Sequence, residues 1–489
     1  MPVTSLVWFR NDLRVTDHAP LLVAARAGVV VPVFIADPAV ARHPEASPAR
    51  TAFIDGCVAA LDHELQALGG RLIRRSGDPL SELMALIRAT GASALHAHEG
   101  IDRLYSRVRD ARVHTALTGF GVRCHWYPAP GSTAELMPYP DYRAHWQATM
   151  QAPVVAAPAR IVVPANLVSD PPKPAPAARV PVVLPYPGPR AAWAWLARFA
   201  DRHAHDYHWR LSYPAARATS ALGPYLAQGV VSHRQCVQWA HAHLGEAAAR
   251  DPARGKTLAG FIARLRWGAG FAMRLRMLPQ IELQSIFVGF DNDVDWDGEA
   301  FARWQAGETG FPIVDAAARC LRGTGGWRHL NFRARASLAS FLANLLNIDW
   351  RHGAVHFMRH LLDGDCAIDH YQWCQAAGVT MGLNKSWTRI YKPQQNAIDR
   401  MDPDGTFIKT WCPELAHLPP KALGIPPPTP GYPPPMLDYA RARARRVAEL
   451  ERARRPLIAA ADIVDWITPL PCDLTPFGAG PGHAVAWAR

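Results

Sequence analysis

The stretch from Trp327 to Trp373 constrains this chain more than any other. It opens WRHLNFRARASLASFLANLLNIDW and closes LLDGDCAIDHYQW. In the first part Leu338, Phe341, Leu342, Leu345 and Leu346 recur at three- and four-residue spacing, which predicts a buried helix with Arg333 and Arg335 at its start. The second part sets Asp363 and Asp365 two residues apart around Gly364, directly after the apolar helix pattern HFMRHLL. Asp369 follows four residues later, then Tyr371 and Trp373. Apolar residues at helical spacing are ordinarily core. Two carboxylates, two arginines and Trp350 in so short a span are less ordinary, and suit a large polar aromatic cofactor.

The rest of the chain reads as two domains, since 489 residues exceed one ordinary core. Residues 1–130 alternate strands (SLVWFR, VVVPVFIA, RLIRR, ASALHAH, GVRCHWY) with helices (RTAFIDGCVAALDHELQALGG, PLSELMALIRATG), the pattern of a doubly wound parallel sheet. No G-x-G-x-x-G follows the first strand, which disfavours a dinucleotide site of Rossmann type. Residues 131–190 turn rich in Pro, Ala and Val and read as a partly extended linker. From 191 to 455 the patterns are helical, interrupted by PPPTPGYPPP at 426–435 and closing on the basic ARARARRVAELERARR; 456–489 is a tail without a clear motif. The expected fold is therefore an α/β N-terminal domain followed by an all-α domain.

Charge narrows the partners. A net charge of +12 favours a polyanion such as nucleic acid. The rival explanation is an arginine-rich composition, because only 6 of the 53 basic residues are lysine. Eight scattered cysteines form no C-x-x-C pair and no zinc spacing, so reduced thiols and no metal are expected. The start of the chain lacks the basic and apolar zones of a signal peptide, and no apolar run approaches membrane-spanning length. A cytoplasmic, monomeric protein is expected.

The order GW…NFRAR…SFL…IDWR…DGD…QW resembles the flavin-binding half of the cryptochrome/photolyase family. WFRNDLR near the start, and RIYKP and DPDGTFIKTWCPEL near the end, extend the resemblance over nearly the whole chain. It implies a blue-light flavoprotein with a U-shaped FAD in its helical domain. In relatives the N-terminal domain holds a second, antenna chromophore, whose identity the loops around Asp37–Pro38 and His98–Tyr105 do not reveal.

The resemblance also assigns residues. TSALGPYL at 219–226 is similar to the family's diphosphate-binding segment, so Thr219, Ser220 and Leu222 are candidates for FAD binding. Read without it, Thr219 and Ser220 are simply caps for the helix that follows. Ala221 and Gly223 depart from the commoner arginine and serine. Tyr207 matches a tyrosine that approaches the same phosphates, while Asp363 and Asp365 fall on the flavin and ribose side with Arg335 paired to the first. A structural ion pair at a helix end would look the same. Asp369 aligns with the position facing the flavin N5 nitrogen, asparagine in most photolyases and aspartate in plant cryptochromes; His370 is the rival for that place. Trp373, Trp350 and Trp296 resemble the tryptophan relay from flavin to surface, with Tyr371 as rival first link.

On the substrate side Trp267 is retained, but Arg264 stands where the family has a glutamate that helps bind pyrimidine dimers. Arginine suits phosphates and base edges. His329 sits near where (6-4) photolyases place catalytic histidines, and Arg333 and Trp373 are grouped with it. The expected function is light-driven lysis of UV-induced pyrimidine lesions in DNA by electron transfer from reduced FAD. The rival is a cryptochrome-type photoreceptor with little or no repair; a light-independent flavin oxidoreductase finds no nicotinamide site in support.

Overall fold

The computed structural model describes residues 3–129, 131–133, 137–172, 182–291, 296–380, 390–460 and 464–469. Arg389 of the RIYKP motif and most of the tail lie outside them. Contacts among the described residues group the chain into two units: one holds the residues up to Ala204 with Ser220–Arg276, the other His205–Thr219 with the described residues from Met277 onward.

In the first unit five parallel strands, β1 (Val3–Phe9), β2 (Gly28–Ala36), β3 (Ile73–Ser76), β4 (Ala94–His98) and β5 (Arg123–Tyr127), form one sheet in the order β3-β2-β1-β4-β5. Near-continuous apolar runs such as LVWF and VVVPVFI are what a sheet covered on both faces requires. Helices α1 (Ala19–Ala27), α2 (Pro48–Ala67), α3 (Pro79–Thr90) and α4 (Leu104–Gly119) connect the strands. The caps of α2 and α3 follow from sequence: Ser47 and Asp78 accept backbone N–H bonds from Arg50 and Ser81, each with proline at the first helical position. Leu6, Trp8, Val31, Val33, Ile73, Leu83 and Leu95 meet in the core.

The polar residues of RNDLRVTDH are structural here. Arg14 donates to the Gly229 carbonyl (2.8 Å), and the Asp17 carboxylate accepts from Ser232 Oγ (2.6 Å) and Arg234 (3.1 Å). They thereby fix the entry to α5 (His233–Arg250), which is followed by the long α6 (Pro252–Met277). Gly229 has φ +58, and a Cβ there would lie 2.2 Å from the Asn11 carbonyl oxygen, so only glycine fits. The proline-rich stretch pairs with the sheet unit through Val30 N–H to Val162 O (2.8 Å) and Ile161 N–H to Leu68 O (2.9 Å).

The second unit is helical: α7 (Gly298–Ala306), α8 (Pro312–Thr324), α9 (Phe332–Ser340), α10 (Trp350–His360), α11 (Cys366–Ala377), α12 (Thr406–Trp411) and α13 (Tyr439–Ala459). The helix predicted through Leu346 is not uniform. It is α-helical to Ser340, then runs as a π turn over Phe341–Leu346 and stops at Asn347, whose φ is +58. Leu338, Phe341, Leu342 and Leu345 are buried while Leu346 is half-buried. The cause lies far along the chain. Buried Arg446 of α13 donates to Asn344 Oδ1 (3.4 Å), Asn347 Oδ1 (3.0 Å) and the Ala377 carbonyl (2.9 Å), holding the widened turn. Among the described residues no helix is long and apolar enough to cross a membrane, and the seven cysteines are free thiols.

Candidate functional site

Between α8 and α9 the chain turns through Gly325 and Gly326, with φ of +64 and +74. A Cβ on Gly326 would stand 2.8 Å from Leu361 Cδ2 and 3.3 Å from Arg335 Nη2, so glycine here makes room for Arg335. Asn331 caps α9 by accepting from Ala334 N–H (3.0 Å) and also donates to the Leu211 carbonyl (2.9 Å). Arg335, one turn into α9, donates from Nε to the Leu330 carbonyl (3.0 Å) and from Nη2 to both carboxylate oxygens of Asp363 (3.0 Å each). Leu362 N–H bonds back to the Gly325 carbonyl (3.0 Å), which sets Asp363 opposite the guanidinium.

Asp365 then starts α11, its carboxylate accepting from Ile368 N–H (3.1 Å). Asp369 N–H bonds to the Asp365 carbonyl (2.8 Å), so Asp369 sits one turn along. It is only 8% exposed; beside it His370 is 2% exposed, with Nδ1 3.6 Å from Asp369 Oδ2. Both rivals for one position are therefore buried and adjacent. A guanidinium fixed on one carboxylate, with two further carboxylates on the same short segment, gathers the acceptors that ribose hydroxyls and ring N–H groups need.

Trp350, Tyr371 and Trp373 are buried, whereas Trp296 is 61% exposed. Trp350 meets the His370 ring edge-on at 5.9 Å between centroids. Trp373 meets Phe357 (4.9 Å) and Trp304 (6.3 Å). Trp304 stacks on Phe301 (5.7 Å), and Phe301 touches Trp296 (5.5 Å). Trp304, in the segment ARWQAGETG, is a ring neighbour of Trp373 that sequence reasoning missed; its position one helix turn beyond Phe301 was the available signal. Close packing of α10 enforces the Trp373 position, because a Cβ on Gly353 would fall 2.2 Å from its ring.

The remaining candidates divide between the units. Tyr207 (6% exposed) and Thr219 belong to the second, Ser220 and Leu222 to the first. The expectation that Thr219 and Ser220 cap the next helix is corrected: that helix is Gly223–Ala227, its N-cap is Leu222, and no side chain caps it. Ala221, directly after Thr219 and Ser220, takes φ +58. In the first unit the Arg264 guanidinium lies over the Trp267 ring at 4.4 Å, with Trp267 44% exposed. In the second, Arg333 is exposed and donates to Ser212 Oγ (3.1 Å). His329 is half-buried, its pKa lowered to about 4 by burial and by the nearby charges of Arg217 and Arg328.

One further observation bears on a flavin dinucleotide: the buried indole N–H of Trp373 has no hydrogen-bond partner among the described residues. Buried donors are ordinarily satisfied. With the acceptor carboxylates of α11 and the Arg335–Asp363 pair, this donor fits such a group.

Comparison with known proteins agrees. Residues 261–452 match the model for the FAD binding domain of DNA photolyase, and residues 5–130 the model for DNA photolyase. A deoxyribodipyrimidine photo-lyase of Synechococcus sp. is 31% identical over 86% of this chain and 90% of its own length. A cryptochrome DASH of Natronomonas pharaonis is 31% identical over 85% and 91% respectively. The crystal structure of a bacterial class III photolyase from Agrobacterium tumefaciens superposes with a TM-score of 0.79 at 26% identity, covering 93% of this chain and 98% of that one. With its α/β sheet unit, its helical unit and both family models matched, the chain belongs to the cryptochrome/photolyase family.

Proposed function

We propose that this protein is an FAD-dependent lyase that uses blue light to split UV-induced pyrimidine lesions in DNA, the activity its relatives' names denote. The observation that carries the reading is the Arg335–Asp363 ion pair followed by Asp365 and Asp369 along the start of α11. When bound, the flavin supplies light absorption and one-electron chemistry. Asp363, Asp365 and Arg335 would hold it, with Tyr207, Thr219, Ser220 and Leu222 on its phosphate side, and the helical domain of residues 191–455 would enclose it. Asp369 would be the proton donor to the flavin, a role an asparagine could not fill, with His370 beside it. Trp350, Trp373, Trp296 and Tyr371 conduct electrons between site and surface. Burial of three of these four keeps water from quenching the transfer.

Damaged DNA is the partner, drawn by the net charge of +12. Arg264, Trp267, His329 and Arg333 are the residues assigned to it, in a monomer acting in the cytoplasm. A second chromophore's place in a sheet of this order is the C-terminal edge between β1 and β4. There the guanidiniums of Arg10 (4.5 Å) and Arg109 (4.9 Å) lie over the Trp8 ring, and Arg10 is also bonded to Asp110 and the His98 carbonyl. An antenna chromophore beside the FAD would have its place there.

The test is repair of cyclobutane and (6-4) lesions, separately, in light and darkness, with the flavin identified after denaturation. FAD with light-dependent repair supports the reading; protein that cannot be loaded with FAD ends it. FAD with reversible light-driven reduction and no repair favours the photoreceptor reading, for which the acid at Asp369 and the arginine at Arg264 speak.

A further inference from the structure

Trp350 differs from the other tryptophans near the site in where its indole N–H leads. Nε1 donates to Ser285 Oγ at 3.2 Å, and Ser285 Oγ donates in turn to Asp291 Oδ1. Ser285 N–H bonds to Asp291 Oδ2 at 3.1 Å, so the carboxylate is clasped by one residue at both oxygens. Thr468 secures Ser285 from the other side, donating from Oγ1 to its carbonyl at 2.7 Å. Ser285 is wholly buried and Trp350 is 3% exposed, while the Asp291 side chain is 26% exposed. The chain of bonds thus runs from a buried ring to a carboxylate in contact with water. Arg351 Nη1 lies 3.8 Å from Asp291, and its Nε binds both oxygens of Asp349 at 2.9 Å.

Two buried neighbours, Trp304 and Trp373, lack such an exit. Trp304 Nε1 donates to the Leu338 carbonyl at 3.0 Å, and an amide carbonyl is too weak a base to keep a proton. Trp373 Nε1 has no partner among the described residues. Loss of one electron makes an indole N–H strongly acidic. A tryptophan that can then shed the proton becomes a neutral radical, which takes its electron back slowly. One that cannot stays a radical cation, which recombines readily.

We propose that Ser285 and Asp291 form a proton exit for Trp350, so that oxidation of this tryptophan is coupled to proton loss and the hole is held there. The inference rests on the reading of Trp350 as a relay residue. In the step, one electron leaves Trp350 toward the light-excited oxidised flavin, which is the oxidant. The Nε1–H bond breaks and its proton passes to Ser285 Oγ, while the Ser285 hydroxyl proton passes to the Asp291 carboxylate. Trp350 has then lost one electron and one proton, and Asp291 has gained one proton. A soluble thiol returns the electron, and the proton travels back along the same two bonds. Ser285 and Asp291 are positioning residues for the relay, since neither is assigned to flavin or substrate.

The test compares flavin-loaded wild type with Asp291→Asn, Ser285→Ala and Trp350→Phe by flash absorption in H2O and D2O. The protonated and deprotonated tryptophan radicals have distinct bands, and flavin released on denaturation checks that each variant is folded and loaded. Asp291→Asn keeps the shape and accepts a hydrogen bond but not a proton. It should delay the deprotonated band at least about a hundredfold, the low end of what a positioned base contributes, and abolish the slowing in D2O. Ser285→Ala should do the same. Wild-type deprotonation in both variants, with Trp350→Phe still blocking the relay, would overturn the proton exit alone. Undiminished photoreduction in Trp350→Phe would overturn the relay reading, and the exit with it.

Discussion

Arg335 and Asp363 stand 28 residues apart in sequence and are brought together by a turn of two left-handed glycines. The pair is partly exposed, at 25% and 19% of the side chains, so its worth lies in placement more than in stability. Arg335→Ala would leave Asp363 without the Nη2 that donates to both its oxygens. Hydrogen bonds to charged groups contribute roughly 1.5–3 kcal/mol, so FAD affinity is expected to fall about tenfold or more. Arg335→Lys, which keeps the charge but not the planar group that reaches Asp363 and the Leu330 carbonyl together, should fall between. Fluorescence titration of reconstituted FAD measures both, and unchanged affinity in Arg335→Ala would remove the pair from the site. Asp369→Asn makes a second prediction: FAD content is kept, but light-reduced flavin no longer gains its proton, seen in spectra taken under illumination with a thiol. Identical spectra would point to His370. The acids and arginine were legible because their spacing is local. Ser285 and Asp291 were not, because Trp350 meets Ser285 across 65 residues, and only tertiary structure shows where an indole N–H points.

Helices α7 and α10 face each other through aromatic rings. His352 touches Trp296 at 4.5 Å, and His356 touches Trp304 at 5.3 Å and His360 at 4.4 Å. The i, i+4, i+8 run of histidines is visible in WRHGAVHFMRH, yet sequence could not say that it lines this interface. His356 is 6% exposed and accepts at Nδ1 from Gln305 (2.9 Å). Burial above all, then the nearby charges of His360, Arg322 and Arg359, lowers its pKa to about 3. The folded value lies below the ordinary 6.5, so the fold favours the neutral ring. Its stabilising share is whole above about pH 6.5 and is lost progressively as pH falls toward about 3. At about 1.4 kcal/mol per pH unit, this one group accounts for about 2 kcal/mol of lost stability by pH 5. His356→Phe should reduce the stability difference between pH 7 and pH 5 in urea unfolding by about that amount, and an unaltered difference would place the acid sensitivity in other buried histidines such as His18 and His96. The π turn is an element of the same kind. Its apolar spacing was readable, but its extra residue per turn depends on Arg446, and Arg446→Ala is expected to cost about 3 kcal/mol in the same experiment by stripping donors from Asn344, Asn347 and the Ala377 carbonyl.

At the scale of the whole chain the strands were the most legible feature. β1 and β2 are short apolar runs, and all five strands are found in one parallel sheet. The grouping of residues 220–276 with the sheet unit was not legible, because no change of composition marks it and the bonds of Arg14 and Asp17 that secure it are long-range. Charge acts at this scale too. With a net charge of +12, DNA affinity should fall linearly in log–log terms with salt, the slope counting the phosphates neutralised. Arg264, with its guanidinium over the exposed Trp267 ring, is a specific candidate for one of those contacts. If it neutralises a phosphate, Arg264→Gln should weaken binding evenly across DNA sequences and reduce the salt slope by about 1. Arg264→Glu should reduce affinity further, since a carboxylate repels what the guanidinium attracted. If Arg264 instead serves only to steady Trp267, Arg264→Gln should leave the slope at its wild-type value while binding of lesion-containing DNA alone declines. Filter-binding isotherms on damaged and undamaged duplexes, over a range of salt, separate the two. An unchanged slope with unchanged affinity for both duplexes would take Arg264 off the DNA surface altogether.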